Sequence, residues 1–238
     1  MKKIILGCLS GFILSQAAFA THGAFYVGTN ASRSLFHITQ QIVMDPKKVI
    51  DPLPYDRDWG QRKDVFNAEL IAGVKASNGS VFGAFEAWYN PSSITVASSS
   101  EDIVFNTGIS NRWCARILAG VQHKEMTIYG IFGLGNTTLT NDTSFPSEGT
   151  YGPLPGVSLA STNASATEVT LTAGIGMSVV FTKDFDISVE YQHQSADNLV
   201  NLYDNFITYF NSIGNQTTHM TADILNVGLK YHFKPFVF

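Results

Sequence analysis

Seven charged residues fall on the polar side of segments that alternate with a period of two: Glu69, Lys75, Glu86, Arg112, Arg116, Glu190 and Lys230. Three carboxylates and four cations confined in one space must pair, because unpaired buried charge is costly. His193-Gln194-Ser195 is the one other hint of reactive chemistry, an imidazole two residues from a hydroxyl. No metal or phosphate motif accompanies these residues, and no cofactor is expected.

The segments that carry the charges read as strands, because side chains alternate across a strand. Residues 224–233 are the type case. Leu225, Val227, Leu229, Tyr231 and Phe233 share one side, and Ile224, Asn226, Gly228, Lys230 and His232 share the other. Residues 169–181 are cleaner still. Val169, Leu171, Ala173, Ile175, Met177, Val179 and Phe181 alternate with Thr170, Thr172, Gly174, Gly176 and Ser178. Further strands are expected at 24–39, 65–76, 80–90, 112–122 and 127–139, and from Phe185 to about Gln194. Arg33 interrupts the apolar side of the first, and glycines blur the fifth.

The connections alternate as well. Tight turns are expected at 77–79, 123–125 and 182–184. Long loops are expected at about 40–64, 91–111, 140–167 and 195–217. Short turns at one end and long loops at the other predict an all-β fold, an eight-stranded antiparallel up-and-down transmembrane β-barrel with short periplasmic turns and long extracellular loops. A soluble barrel alternates too. Tyr89, Trp113, Tyr191, Tyr231 and Phe233 lie near strand ends on the apolar faces, where an interfacial girdle belongs, and favour the membrane form.

Residues 1–20 read as a secretory signal. Lys2 and Lys3 precede an apolar run, and Ala18-Phe19-Ala20 supplies a cleavage site after Ala20. Leu6-Gly7-Cys8 has the residue types of a lipoprotein signal, but its apolar run is too short. The mature domain would span 21–238. Losing Lys2 and Lys3 from 15 basic residues leaves 13 against 19 acidic ones, a net charge of −6. Nothing here suggests nucleic-acid binding, which needs a basic patch. Cys114 alone would remain of two cysteines, so no internal disulfide is expected.

The chain resembles the opacity-type and OmpA-like eight-stranded outer-membrane barrels of Gram-negative bacteria. The carriers are Ala24-Phe25-Tyr26-Val27-Gly28, Tyr129-Gly130-Ile131-Phe132-Gly133-Leu134-Gly135, Val189-Glu190-Tyr191 and Gly228-Leu229-Lys230-Tyr231-His232-Phe233. The resemblance implies an assembly signal read by the barrel assembly machinery. Tyr231 and Phe233 match it, and Phe238 offers a second terminal aromatic. It also implies a cell-surface setting in outer-membrane lipid and lipopolysaccharide. His193 and Ser195 are similar to the His-x-Ser of outer-membrane lipid A deacylases, in which a histidine base activates a serine. Ala196 departs from that pattern, and Asp204 or Asp223 would have to supply the acid.

The leading functional expectation is a structural surface protein, not an enzyme. An eight-stranded barrel has room for little more than its own side chains. The seven charges then read as an ion-pair plug, with a narrow pore as the alternative. The long loops would make the protein an adhesin toward a host or surface ligand. Leu199, Leu202, Tyr203, Phe206, Phe210 and Ile213 recur at helical spacing in the last loop, which suggests an amphipathic helix or a strand extension. Residues 137–167 read as a mobile polar surface loop.

Overall fold

The structure, a computed structural model, describes residues 22–44, 57–100, 103–144, 162–203 and 214–236. The strands are β1 (His22–Met44), β2 (Arg57–Asn78), β3 (Val81–Asn90), β4 (Ile94–Ser100), β5 (Ile103–His123), β6 (Met126–Ser144), β7 (Thr162–Thr182), β8 (Phe185–Tyr203) and β9 (Gly214–His232). Each pairs antiparallel with its neighbours, and β1 also pairs with β9, so the sheet closes. Strands β3 and β4 form one stave interrupted at Pro91, because both pair with β5. Proline has no amide to give to a ladder. Nine segments therefore make an eight-stave barrel, closed through the β2–β3 and β3–β5 ladders, while above Leu70 no ladder joins β2 to β4 among the described residues.

The outward face of β7 is the apolar face expected from its sequence. Ile175 is 67% exposed and Phe181 70%. Between Val169 and Phe181 this face spans about 30 Å of barrel height, close to a bilayer's hydrocarbon thickness. The inward residues Thr170 and Thr172 are buried. In lipid every backbone amide needs a partner, and a closed ladder supplies it.

All of the long strands run further outward than the apolar alternation suggests, and β9 shows why. In its lower part Leu225, Val227, Leu229 and Tyr231 face out, while Asn226, Lys230 and His232 face in. In its upper part the sides exchange chemistry. Met220, Ala222 and Ile224 are buried inside, and His219 faces out. They join Phe36, Ile38, Ile94, Val96, Ile109, Leu139 and Ala196 in one apolar cluster inside the outer half of the barrel. The medium outside explains the reversal. Lipid demands an apolar exterior, while water above it rewards an apolar interior.

Irregularities mark the same zone. The β5–β6 register shifts between Ser110 and Trp113, with Asn111 at a φ of 49°. The β8–β9 register shifts between Ala196 and Leu199. A bulge adds a residue and changes which side chains face inward. On β5 the buried positions are Thr107 and Ile109 above the shift, and Arg112, Cys114, Arg116 and Leu118 below it.

Several loop expectations are thereby corrected. Residues 40–44, 57–64, 94–100, 103–111, 137–144, 162–167, 195–203 and 214–217 are strand. Leu199–Tyr203 pairs with β9 residues rather than forming a helix. The remainder of that segment, with Phe206, Phe210 and Ile213, lies outside the described residues, as do Asp204, Phe238 and the signal segment. The tight turns fall where expected, with Asn78 opposite Val81, His123 opposite Met126 and Thr182 opposite Phe185.

Candidate functional site

The lumen of the membrane zone holds the charges. Glu86 on β3, Arg116 on β5, Glu190 on β8 and Lys230 on β9 converge from four staves, and all are buried. Arg116 sits between the two carboxylates. It donates through Nε to Glu86 Oε1, and its Nη1 lies 2.8 Å from Glu190 Oε2. Lys230 Nζ reaches Glu86 Oε2 at 2.8 Å and Glu190 Oε1 at 3.3 Å. Two cations thus neutralise two carboxylates, each cation touching both. Such geometry offsets the desolvation that buried charges otherwise suffer.

Two tyrosines complete the cluster. The Tyr26 hydroxyl donates to Glu86 Oε2 at 2.9 Å, and the Tyr129 hydroxyl to Glu190 Oε1 at 2.8 Å. The two arrangements match. Tyr26 is opposite Gly73, and Gly73 is opposite Glu86. Tyr129 is opposite Gly176, and Gly176 is opposite Glu190. In each row the phenol crosses the middle stave where a glycine carries no side chain, since a Cβ there would strike the ring.

The other expected lumen residues are inside but stand apart from this centre. Lys75 Nζ is 3.3 Å from Asp186 Oδ2, and His232 Nε2 is 2.7 Å from the same oxygen, near the periplasmic end. Glu69 Oε2 accepts from Asn30 Nδ2 at 3.1 Å. Arg112 makes no hydrogen bond or ion pair among the described residues, and its guanidinium lies 5.0 Å from the Phe36 ring centroid. It meets the floor of the upper apolar cluster. Tyr26, Tyr129, Asp186 and His232 were missing from the charge list read off the sequence. Their signal was present: all four occupy inward positions of the strand alternation, and Tyr26 and Tyr129 are aromatics among small and polar neighbours.

The outer surface carries a second cluster. His193 and Asp223 are opposite each other on β8 and β9 and face outward. His193 Nδ1 is 2.9 Å from Asp223 Oδ1, and the Tyr191 hydroxyl donates to the same oxygen at 2.8 Å. Asp223 stands where the apolar belt ends, with Leu225 the next outward residue below it. Ser195 lies two residues beyond His193 and is half-buried. It makes no hydrogen bond to His193 among the described residues. At the other end of the belt Tyr231 lies 5.2 Å from Phe185 and 5.3 Å from Phe233, ring to ring. Among the described residues no group of three His, Cys, Asp or Glu is placed to hold a metal ion.

A closed barrel that is apolar outside, charge-filled inside and girdled by aromatics is an outer-membrane β-barrel of a Gram-negative bacterium. Residues 4–233 match the model of the outer membrane protein beta-barrel domain, and the chain belongs to that family. No curated protein matches it. Among solved structures it is similar to Ail, the attachment invasion locus protein of Yersinia pestis, in complex with the heparin analogue sucrose octasulfate. The identity is 12%, covering 90% of this chain and 99% of that one, with a TM-score of 0.42. It is also similar to Neisserial surface protein A, at 12% identity over 88% and 97% with a TM-score of 0.38. A third is the outer membrane protease OmpT from Escherichia coli, at 10% identity over 90% and 97% with a TM-score of 0.42.

Proposed function

We propose that this protein is a structural, non-enzymatic surface barrel whose lumen is closed, and that its outer segments engage a ligand on a host or neighbouring surface. The observation that carries the closed lumen is Arg116 held between Glu86 and Glu190, with Lys230 bridging the same carboxylates. The apolar cluster above it is a second barrier, because a hydrated ion gains nothing there. Planar-bilayer recording tests this. The wild type is expected to be silent, and stable open conductance would make the charges the lining of a narrow pore instead. The strands extending beyond the apolar belt support the surface role, since they raise a rigid wall above the lipid.

A second reading is favoured by one distance, the 2.9 Å between His193 and Asp223. It would give the histidine the acid that a His-Ser hydrolase of lipid A needs, with Ser195 as nucleophile. Mass spectrometry of lipid A from a host expressing the protein separates the readings. Loss of an acyl chain that disappears with His193→Ala and with Ser195→Ala would establish the hydrolase. Unchanged lipid A is the outcome expected of a structural barrel.

A further inference from the structure

The barrel wall is split on one side. The β2–β3 ladder ends at Leu70–Tyr89, and above it β4 pairs with β5 but with no residue of β2 among those described. Lys63 bridges the split, its Nζ donating to the backbone carbonyl of Thr95 at 2.9 Å. At the base of the split, inward side chains stand in one row on adjacent staves: Glu69 on β2, Asn90 on β3 and Arg112 on β5. Asn90 is opposite Arg112, and Glu69 and Asn90 both adjoin the Leu70–Tyr89 pair. Asn90 and Arg112 are fully buried, and Glu69 is 1% exposed.

Each of these side chains has hydrogen-bonding capacity left over. Nε, Nη1 and Nη2 of Arg112, Nδ2 of Asn90 and Oε1 of Glu69 have no partner among the described residues. The other polar atoms are engaged and orient their side chains. Glu69 Oε2 accepts from Asn30 Nδ2 at 3.1 Å, and Asn90 Oδ1 accepts from the Ser92 amide at 2.9 Å. Buried polar atoms are nearly always partnered. A run of unpartnered ones on neighbouring staves marks the place of a ligand.

The charges define its chemistry. Glu86 and Glu190 are balanced by Arg116 and Lys230. Glu69 and Arg112 are left as one anion and one cation, each buried and not joined in an ion pair. A bare anion would satisfy Arg112 but set a second negative charge beside Glu69. A molecule with both charges satisfies each and adds no net charge to the lumen. We propose that Glu69, Asn90 and Arg112 bind a small zwitterion of the α-amino-acid class, which enters through the split. Its carboxylate lies on the Arg112 fork and Asn90 Nδ2, a planar match. Its ammonium lies on Glu69 Oε1, and Asn30 is the positioning residue for that carboxylate. The ion pairs of Glu86, Arg116, Glu190 and Lys230 lie below, so the row is a site and not a passage.

The test uses the full chain folded in detergent and glycine, acetate and methylammonium as probes. Isothermal titration calorimetry reads affinity. The wild type should bind glycine at least about tenfold more tightly than either single-charge probe, the scale of a lost charged hydrogen bond. Glu69→Gln should weaken glycine about as much and make acetate the better ligand, because Arg112 then lacks any compensating charge. Arg112→Gln should make methylammonium the better ligand. A merely structural role would not exchange the preferred probe. Arg33→Gln, in an ion pair on the exterior, should change nothing. Equal binding of the probes, or unchanged glycine binding by both lumen variants, would overturn the site. Absence of glycine binding to the wild type would mean that water alone fills the row, and would overturn it too. Heat-modifiable migration on gels confirms that each variant is folded, and the comparison of probes on the wild type decides the matter where one is not.

Discussion

The Tyr129 hydroxyl donates to Glu190 at 2.8 Å across the bare backbone of Gly176. Tyr26 reaches Glu86 across Gly73 in the same way. Each carboxylate is thereby held by a phenol as well as by two cations. The lumen is filled by long side chains that bridge staves, and small ones let them pass.

Gly73→Ala and Gly176→Ala are expected to destabilise the barrel by about 1–3 kcal/mol each, the range of overpacking, as the added methyl drives the phenol off its carboxylate. Gly60→Ala is the control, because nothing lies within 4 Å of a Cβ there. Urea unfolding in detergent, followed by tryptophan fluorescence, measures both. Equal stability of all three variants would contradict the close approach.

Arg116→Ala and Arg112→Ala separate two kinds of buried cation. The first strands Glu86 and Glu190 with Lys230 alone and should cost about 3–5 kcal/mol. The second removes a guanidinium that no carboxylate touches, so its cost should be clearly smaller. A larger loss for Arg112→Ala would mean that it pairs with Glu69 in the folded protein.

Ile175→Arg should impair membrane insertion far more than Thr172→Arg. A charge on the lipid face near the midplane costs about 2–4 kcal/mol, whereas the lumen offers water or a counter-ion. Crowding beside Cys114 and Gly133 will limit how well Thr172→Arg fares. Single cysteines in a Cys114-free background, reacted with a lipophilic probe, should label at odd positions of residues 169–181 and be protected at even ones.

Ile109→Ala and Met220→Ala test the upper core. Each should cost about 2–5 kcal/mol locally. Hydrogen exchange should quicken at the amides of residues 214–222, while those of residues 225–231 stay protected. Uniform loss of protection along β9 would mean that the two zones do not unfold separately.

Strand count, closure and lipid face were legible because β7, β8 and the lower part of β9 each keep one alternation for seven residues or more. The strand ends were not, because at Ile224 and Leu225 the exterior changes from water to lipid and the apolar residues change sides. A rule that looks for apolar outward residues stops there and reads the rest as loop. The pairing inside the lumen was only partly legible. Alternation placed Glu86, Arg116, Glu190 and Lys230 inside, but register decides who meets whom, and it put Arg112 against Phe36 instead of a carboxylate. Asp223 was one of two acids available to His193, and the β8–β9 register brings it there from thirty residues away.

The exchange of apolar residues from outer face to inner core also sets a float line. Were the barrel to sink by one residue pair, His37 and Arg62 would enter the acyl chains. Were it to rise by one, Tyr231 and Phe233 would be drawn into hydrocarbon from below, and Leu35 and Phe66 would meet water. Each misplaced charge costs up to about 2–4 kcal/mol, and each exposed aliphatic side chain about 1.5–3 kcal/mol. The two faces of the barrel therefore hold the protein at one depth, and whatever its outer rim displays is presented at a constant distance from the lipid.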